Sequence, residues 1–215
     1  MPPLVLDHAI LAGPALPDLV AAFEARTGVA ATPGGRHPGQ GTHNALVGLG
    51  PERYLELLAP DPDAEDGPFR TSIGYLGAPA LHTWCVRGGD ADAFEARVRA
   101  VGLAPRRIAM ARTRPDGVRL AWHLVFVDGH PFGGLVPFFI DWGASPHPSE
   151  TLGAPLAWRS LRLEHPDEAR LDALLDALGG VPDGVRVAPG ATPRLVAAWR
   201  GPRGDDVWEG RGGPG

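Results

Sequence analysis

Four side chains that could hold a metal ion occupy matching places in two similar segments of the chain. The first segment offers one histidine and one glutamate, and the second offers one histidine and one aspartate: His8, Glu56, His82 and Asp141. Two imidazoles and two carboxylates suit a divalent ion such as Zn, Mn, Fe or Ni. If the segments pair about a pseudo-two-fold axis, all four side chains could converge, and a carboxylate could also act as general base. The pattern predicts a metal site at these four residues, with Glu56 as the catalytic residue.

Each of these residues also has an ordinary structural explanation. A histidine on a strand commonly has both ring nitrogens satisfied by neighbours. Glu56 alternates onto the face that carries Tyr54 and Leu58, where an unpaired carboxylate is costly, so an arginine partner would explain it. Asp141 could be an acid at the end of a strand.

The stretch "GGRHPGQGTHN", residues 34–44, concentrates rare residue types and contains the only glutamine and the only asparagine of the chain. Glycines allow a ligand to approach the backbone, and Arg36 can bind a carboxylate with two parallel hydrogen bonds. The alternative is a glycine-rich hairpin in which the amides serve the turn. Alternation along the strand puts His43 and Asn44 on opposite faces, and we expect His43 in the cavity and Asn44 on the loop backbone. The predicted substrate-binding residues are Arg36, His37, His43 and Asn44, together with His123 in "RLAWHLVFV".

An internal repeat positions these residues. Strand, helix and three strands follow one another in "LVLDHAILAG", "LPDLVAAFEARTG", "VAATPGG", "THNALVGLG" and "RYLELLAP". The order recurs in "ALHTWCVRG", "DADAFEARVRAVG", "PRRIAMAR", "GVRLAWHLVFV" and "LVPFFIDWG", with "TRPDG" as a hairpin turn. A third copy begins at "WRSLRLEH" and has fewer strands. We expect a paired domain at 1–150, a partial third module at 151–203 and a flexible tail at 204–215.

Composition excludes several classes of protein. The net charge of −5 gives no basic patch for nucleic acid or an anionic membrane, and no stretch reaches the roughly 20 apolar residues of a membrane span. The single cysteine, Cys85, excludes an internal disulfide and suits a reducing cytoplasm, and no signal peptide is recognised. The chain has no lysine, which excludes a pyridoxal phosphate Schiff base and a "GxxxxGK" phosphate loop.

The repeated module, with histidines on first strands and acids on last strands, resembles the vicinal-oxygen-chelate superfamily. The phrases "LDHAILA", "GGRHPGQGTHNALV", "YLELLAP" and "FFIDWGASPHPS" resemble more narrowly its glyoxalase-like domain proteins. The resemblance implies an α+β fold in which tandem βαβββ modules curl around one cavity, with a partial third βαββ module beside them. Its metal residues match His8, Glu56 and His82, whereas Asp141 stands where the superfamily has a glutamate.

The resemblance also implies a range of activities. It implies a metal-dependent lyase, isomerase or dioxygenase that acts on a small oxygen-rich molecule. The alternative is a metal-free protein that binds or sequesters a small molecule. The superfamily often forms dimers, so we expect a homodimer, a small-molecule substrate, and no nucleic-acid or membrane partner.

Overall fold

The computed structural model describes residues 2–113 and 117–211. The first module has the predicted order of one strand, one helix and three strands: β1 (Val5–Ala12), α1 (Leu16–Thr27), β2 (Thr32–His37), β3 (Thr42–Gly48) and β4 (Tyr54–Pro60). A linker with a short helix follows: α2 (Pro68–Ile73). The second module repeats the order: β5 (Ala80–Arg87), α3 (Ala91–Ala100), β6 (Ala104–Thr113), β7 (Arg119–Asp128) and β8 (Phe138–Asp141).

Both modules contribute to one eight-stranded sheet, in the order β2-β3-β4-β1-β5-β8-β7-β6. The first strands of the modules, β1 and β5, lie side by side and antiparallel, as a pseudo-two-fold relation requires. The outermost strands, β2 and β6, contact each other, so the sheet curls around its concave face. The predicted α+β fold of tandem βαβββ modules is therefore confirmed. Strands β6 and β7 pair as a hairpin, but residues 114–116 of the predicted "TRPDG" turn lie outside the described residues.

The two faces of the sheet have separate apolar cores. The convex face packs on the long helices through residues such as Leu11 and Leu55, together with Phe94 of α3, which stacks on Phe139 with ring centroids 4.7 Å apart. The concave face carries a second cluster that includes Ile10 and Met110. Because side chains alternate along a strand, the parity of each residue decides whether it meets a helix or the cavity.

The third module forms a second sheet, in the order β10-β9-β11-β12. After a short helix α4 (Ser149–Leu152), its elements are β9 (Ala157–His165), α5 (Glu168–Leu178), β10 (Val185–Pro189), β11 (Arg194–Gly201) and β12 (Gly204–Gly210). The prediction of a flexible tail is wrong for Gly204–Gly210, which pair with β11. The tryptophan of this strand explains the difference, because Trp208 is buried beside Phe23 with the Arg26 guanidinium over its ring. The third module is thus a full βαβββ unit, and the division of the chain into domains remains a prediction.

No helix in the described part of the chain is long and apolar enough to cross a membrane.

Candidate functional site

The concave face of the large sheet forms a cavity that is open to solvent at one end. Both modules line it, and α2 of the linker adds Phe69 and Ser72. Most of the lining is apolar or aromatic: Ile10, Leu46, Tyr54, Leu58, Met110, Trp122, Leu124, Phe126, Phe138, Ile140 and Trp142. A few polar side chains interrupt it: His8, His37, Asn44, Glu56, His82 and Arg112. An apolar cavity with a few convergent polar groups is the usual form of a small-molecule site.

Glu56 is a buried carboxylate that faces this cavity from β4. Its Oε1 accepts a hydrogen bond of 2.5 Å from Nδ2 of Asn44 on the neighbouring β3. The imidazoles of His8 and His37 stand on either side, each with Nε2 3.6 Å from a carboxylate oxygen. Among the described residues, no arginine forms an ion pair with Glu56. The ordinary explanation offered above, an arginine partner, is therefore excluded.

His8 is held from behind by Asp7. The Nδ1 of His8 lies 2.7 Å from Oδ1 of Asp7, while its ring stacks on Tyr54 at 4.6 Å between centroids. An ionised carboxylate only accepts hydrogen bonds, so the facing Nδ1 carries a proton and Nε2 is the nitrogen directed at Glu56. The arrangement fixes both the ring orientation and the tautomer of His8.

Asp7 has no solvent exposure and is surrounded by polar side chains from β5 and from the loop between β8 and α4. Its Oδ2 lies 3.0 Å from Nε1 of Trp142, 3.1 Å from Nε2 of His147 and 3.3 Å from Nε of Arg87. Burial alone would raise the pKa of Asp7, but hydrogen bonds from His147 and His8 outweigh it and hold the pKa well below its ordinary value. Asp7 therefore remains an anion beneath the cavity wall.

The two other cavity histidines, the buried His82 and the part-buried His37, favour the neutral form. Burial lowers the pKa of His82 to about 4, so this ring is neutral at pH 7. Its Nε2 lies 3.4 Å from Oγ of Ser72. Burial also lowers the pKa of His37, against the attraction of Glu56. A neutral imidazole offers one N–H donor and one acceptor nitrogen.

The prediction that His43, and not Asn44, faces the cavity is wrong. Asn44 lies in the cavity wall, whereas His43 lies on the convex side in a shallow groove beside α1. Strand pairing explains the outcome, because Leu46 stands opposite Glu56 on β4, and Asn44 shares the face of Leu46. The expected bond from Asn44 to the loop backbone is present, since its Oδ1 accepts from the Gly35 N–H at 2.8 Å.

Three further predicted site residues also lie outside the cavity. Arg36 is exposed and forms ion pairs with Asp61 at 3.2 Å and Asp63 at 2.6 Å, because it points away from its cavity-facing neighbour His37. His123 is exposed on the outer face of β7, between the cavity-facing Trp122 and Leu124.

Asp141 is the third predicted site residue that lies outside the cavity, and its position changes the predicted metal site. Its carboxylate accepts from the backbone N–H groups of Ala91 and Gly143, while the neighbouring Ile140 and Trp142 face the cavity. Alternation along β8 therefore places an isoleucine where the fourth ligand was expected.

The cavity donors do not form the predicted four-ligand metal site. His8, Glu56 and His82 line the cavity, yet their ligand atoms do not come within 4.8 Å of one another as a set. In the described part of the chain, the one group of three donors at that spacing is Asp7, His8 and Cys85. There Asp7 is already bonded to three side chains, and burial raises the pKa of the Cys85 thiol well above its ordinary value, which disfavours a thiolate ligand.

Sequence reasoning missed two charged residues of the site, Asp7 and Arg112. Arg112 lies on β6, the counterpart of the strand that carries Arg36 in the first module, so the repeat itself contained the signal. The position of Asp7 depends on a β-bulge, a register shift between Leu6 and His8 in the pairing of β1 with β5, which the sequence did not reveal.

The curled sheet of paired βαβββ modules around an apolar cavity is the vicinal-oxygen-chelate fold. Residues 6–179 match the family model described as "Glyoxalase-like domain", and the chain belongs to that family. No curated protein sequence matches the chain.

Solved structures of the same fold are similar to the chain at low sequence identity. A hypothetical protein from Staphylococcus aureus has a TM-score of 0.67 and 15% identity, with 88% of each chain covered. A methylmalonyl-CoA epimerase in complex with methylmalonyl-CoA and NH4+ has a TM-score of 0.50 and 22% identity, over 68% of this chain and 99% of that one. A variant of 4-hydroxymandelate synthase from Streptomyces coelicolor has a TM-score of 0.55 and 13% identity, over 99% of this chain and 64% of that one. At these identities the similarity establishes the fold alone.

Proposed function

We propose that the protein is an enzyme of the isomerase or lyase type that removes a proton from the carbon beside a carbonyl group, with Glu56 as the base. The observation that carries the proposal is the environment of Glu56. Five carboxylate residues are buried in the described part of the chain, and four have arginine partners: Asp7 with Arg87, Asp61 with Arg36, Glu95 with Arg99 and Arg107, and Glu164 with Arg162 and Arg194. Glu56 has none and faces the cavity.

Burying a carboxylate without a cationic partner is costly, and proteins commonly accept this cost at active sites, where the carboxylate takes part in the reaction. Asn44 fixes one oxygen of Glu56, which leaves the other oxygen towards His8 and the cavity. An acceptor held in place in this way can take a proton from a bound molecule.

The proposed step balances as follows. The C–H bond breaks, its proton goes to a carboxylate oxygen of Glu56, and its electron pair moves through the carbonyl to leave an enolate oxygen. The neutral ring of His82, whose Nε2 lies 3.4 Å from Oγ of Ser72 at the cavity wall, turns one N–H to that oxygen in this proposal. The proton then returns to the substrate at a different position or face in an isomerase, or the enolate expels a neighbouring group in a lyase.

The test is deuterium uptake at C3 of phenylpyruvate in D2O, followed by proton NMR. We expect the protein to accelerate exchange above the protein-free rate, and Glu56→Gln to lower the enzymatic rate by about a hundredfold or more. Glu95→Gln is the matched control, since Glu95 is a buried carboxylate outside the cavity. Chelator-treated protein, assayed with and without added Zn or Mn, measures the metal requirement independently.

Two outcomes would contradict the proposal. Equal exchange rates for the native protein and Glu56→Gln would remove Glu56 from the chemistry. Tight binding of the probe without any accelerated exchange would favour the sequestering protein instead.

A further inference from the structure

Arg112 brings a positive charge to the wall of an otherwise largely apolar cavity. It lies on edge strand β6, partly buried, near the place where β6 meets β2. Its guanidinium packs against Gly35, where a β-carbon would lie 2.2 Å from Nη1. The position of the guanidinium therefore depends on the missing side chain of Gly35.

No carboxylate of the described chain forms an ion pair with Arg112. Other arginines near buried acids are paired, as Arg36 is with Asp61 and Arg107 is with Glu95. The one acid among the described cavity-lining residues, Glu56, is bonded to Asn44 and flanked by imidazoles instead. The cavity thus contains one anion and one cation that do not neutralise each other.

The charge of Arg112 acts on the interior of the cavity. Besides the larger effect of burial, Arg112 lowers the pKa of His37, which lines the same wall. A guanidinium presents a planar fork of donors that matches a carboxylate with two parallel hydrogen bonds.

We infer that the substrate carries a carboxylate, bound by Arg112 at the cavity wall, on a flat apolar body that fills the aromatic interior. The inference rests on the proposed function for the reaction but concerns only recognition. A carboxylate carries one charge and neutralises one guanidinium. A phosphate carries about −1.5 to −2 charges at pH 7. It would leave excess negative charge in a cavity that already holds Glu56, so the carboxylate is the better match.

The apolar body is assigned from the rings that face it. Phe126 stacks on Phe138 with centroids 5.1 Å apart, and Phe69 approaches Phe126 at 5.8 Å. Trp122 and Trp142 complete the aromatic wall, with centroids 5.4 Å apart. These faces favour a planar ring or conjugated chain over a polar sugar or peptide.

The experiment compares isosteric probes by isothermal titration calorimetry. Phenylacetate, phenylacetamide and phenyl phosphate share a ring and differ in charge. We expect native protein to bind phenylacetate at least about tenfold more tightly than phenylacetamide, and Arg112→Gln to abolish that preference. Arg112→Lys should restore part of it. Arg36→Gln is the matched control and should retain the preference, because Arg36 lies outside the cavity and is paired with Asp61 and Asp63.

Four results would overturn the inference. Three of them are equal binding of phenylacetamide and phenylacetate, no binding of either, and a preference for phenylacetate that survives in Arg112→Gln. The fourth is tighter binding of phenyl phosphate than of phenylacetate, which would replace the carboxylate by a phosphate. A preference for phenylacetate without deuterium exchange at phenylpyruvate would contradict the proposed reaction and leave the recognition by Arg112 intact.

Discussion

Asp7 and His8 are consecutive residues of one strand, yet their side chains are bonded to each other, with Oδ1 of Asp7 2.7 Å from Nδ1 of His8. Neighbours on a regular strand point to opposite faces, so the contact requires an irregularity. The pairing of β1 with β5 shifts register between Leu6 and His8 and leaves Asp7 in a bulge. The bulge changes the parity of the strand, since Leu6 packs on the helix side and His8 lines the cavity. One extra residue thus places a buried anion directly behind the cavity histidine.

The first prediction is that Asp7→Asn changes the tautomer of His8. Trp142 and His147 both donate to Oδ2 of Asp7, so the single oxygen of an asparagine should stay with them and its amide N–H should face His8. His8 Nδ1 must then accept, and the proton moves to Nε2. Nitrogen-15 NMR of the imidazole distinguishes the two forms. In the native protein, Nδ1 of His8 should carry the proton. If His8 has the same tautomer in Asp7→Asn, Asp7 does not determine it.

The second prediction concerns acid stability and His147. Hydrogen bonds from His147 and His8 lower the pKa of Asp7 below its value in the unfolded chain, which is about 3.9. As pH falls, the unfolded chain binds the proton first, so the stabilisation by ionised Asp7 is full above about pH 4 and declines below it. His147→Phe removes one donor, raises the folded-state pKa and should shift acid unfolding to higher pH.

His147→Gln is the conservative control for this measurement. The phenylalanine keeps an aromatic ring beside Tyr54 and Trp142, which contact His147 at 5.6 and 5.7 Å. The glutamine keeps an N–H donor for Asp7 and should lie closer to the native acid midpoint. Urea unfolding between pH 2 and pH 6 measures all three proteins, and equal pH dependence would exclude the role of His147.

The sequence predicted the fold because the repeat is visible in its hydrophobic periods and its helix ends. Gly28, for example, ends α1 in a left-handed conformation with φ of 74°, as a glycine after a helix suggests. The same reasoning placed Glu56 on one face with Tyr54 and Leu58, and all three line the cavity.

The sequence did not determine which face of β3 or which arginine meets the cavity. Alternation separates His43 from Asn44 but does not say which one faces inward, and only the pairing of Leu46 with Glu56 decides it. Arg36 and Arg112 are both plausible anion ligands by type. Their roles depend on strand parity and on the neighbouring Asp61, which are properties of the tertiary structure.

The third prediction compares the stability of two buried-carboxylate variants. Glu95 is bonded to Arg99 and Arg107, so Glu95→Gln should lower the free energy of unfolding by about 1 kcal/mol, since both arginines are partly exposed. Glu56 has no arginine partner, and Glu56→Gln retains an oxygen for Asn44 while it removes a desolvated charge. Its free energy of unfolding should therefore be equal to or higher than that of the native protein. Chemical denaturation at pH 7 measures both, and a larger loss in Glu56→Gln than in Glu95→Gln would contradict the view of Glu56 as an unpaired functional group.

The fourth prediction is that Gly35→Ala weakens carboxylate binding without unfolding the protein. The added β-carbon would lie 2.2 Å from Nη1 of Arg112 and 3.2 Å from its Cζ, so the guanidinium must move. The atoms it meets belong to the far end of a flexible side chain, so the move costs little stability. Binding should suffer more, because a forked pair of hydrogen bonds depends on the position of the guanidinium. We expect the affinity for phenylacetate to fall about tenfold while that for phenylacetamide stays the same.

Gly77→Ala is the matched control, since its β-carbon would meet no atom within 4 Å. Isothermal titration calorimetry measures the binding of phenylacetate by both variants, and their melting temperatures measure stability. Equal binding of phenylacetate by Gly35→Ala and Gly77→Ala would show that the position of Arg112 does not control recognition.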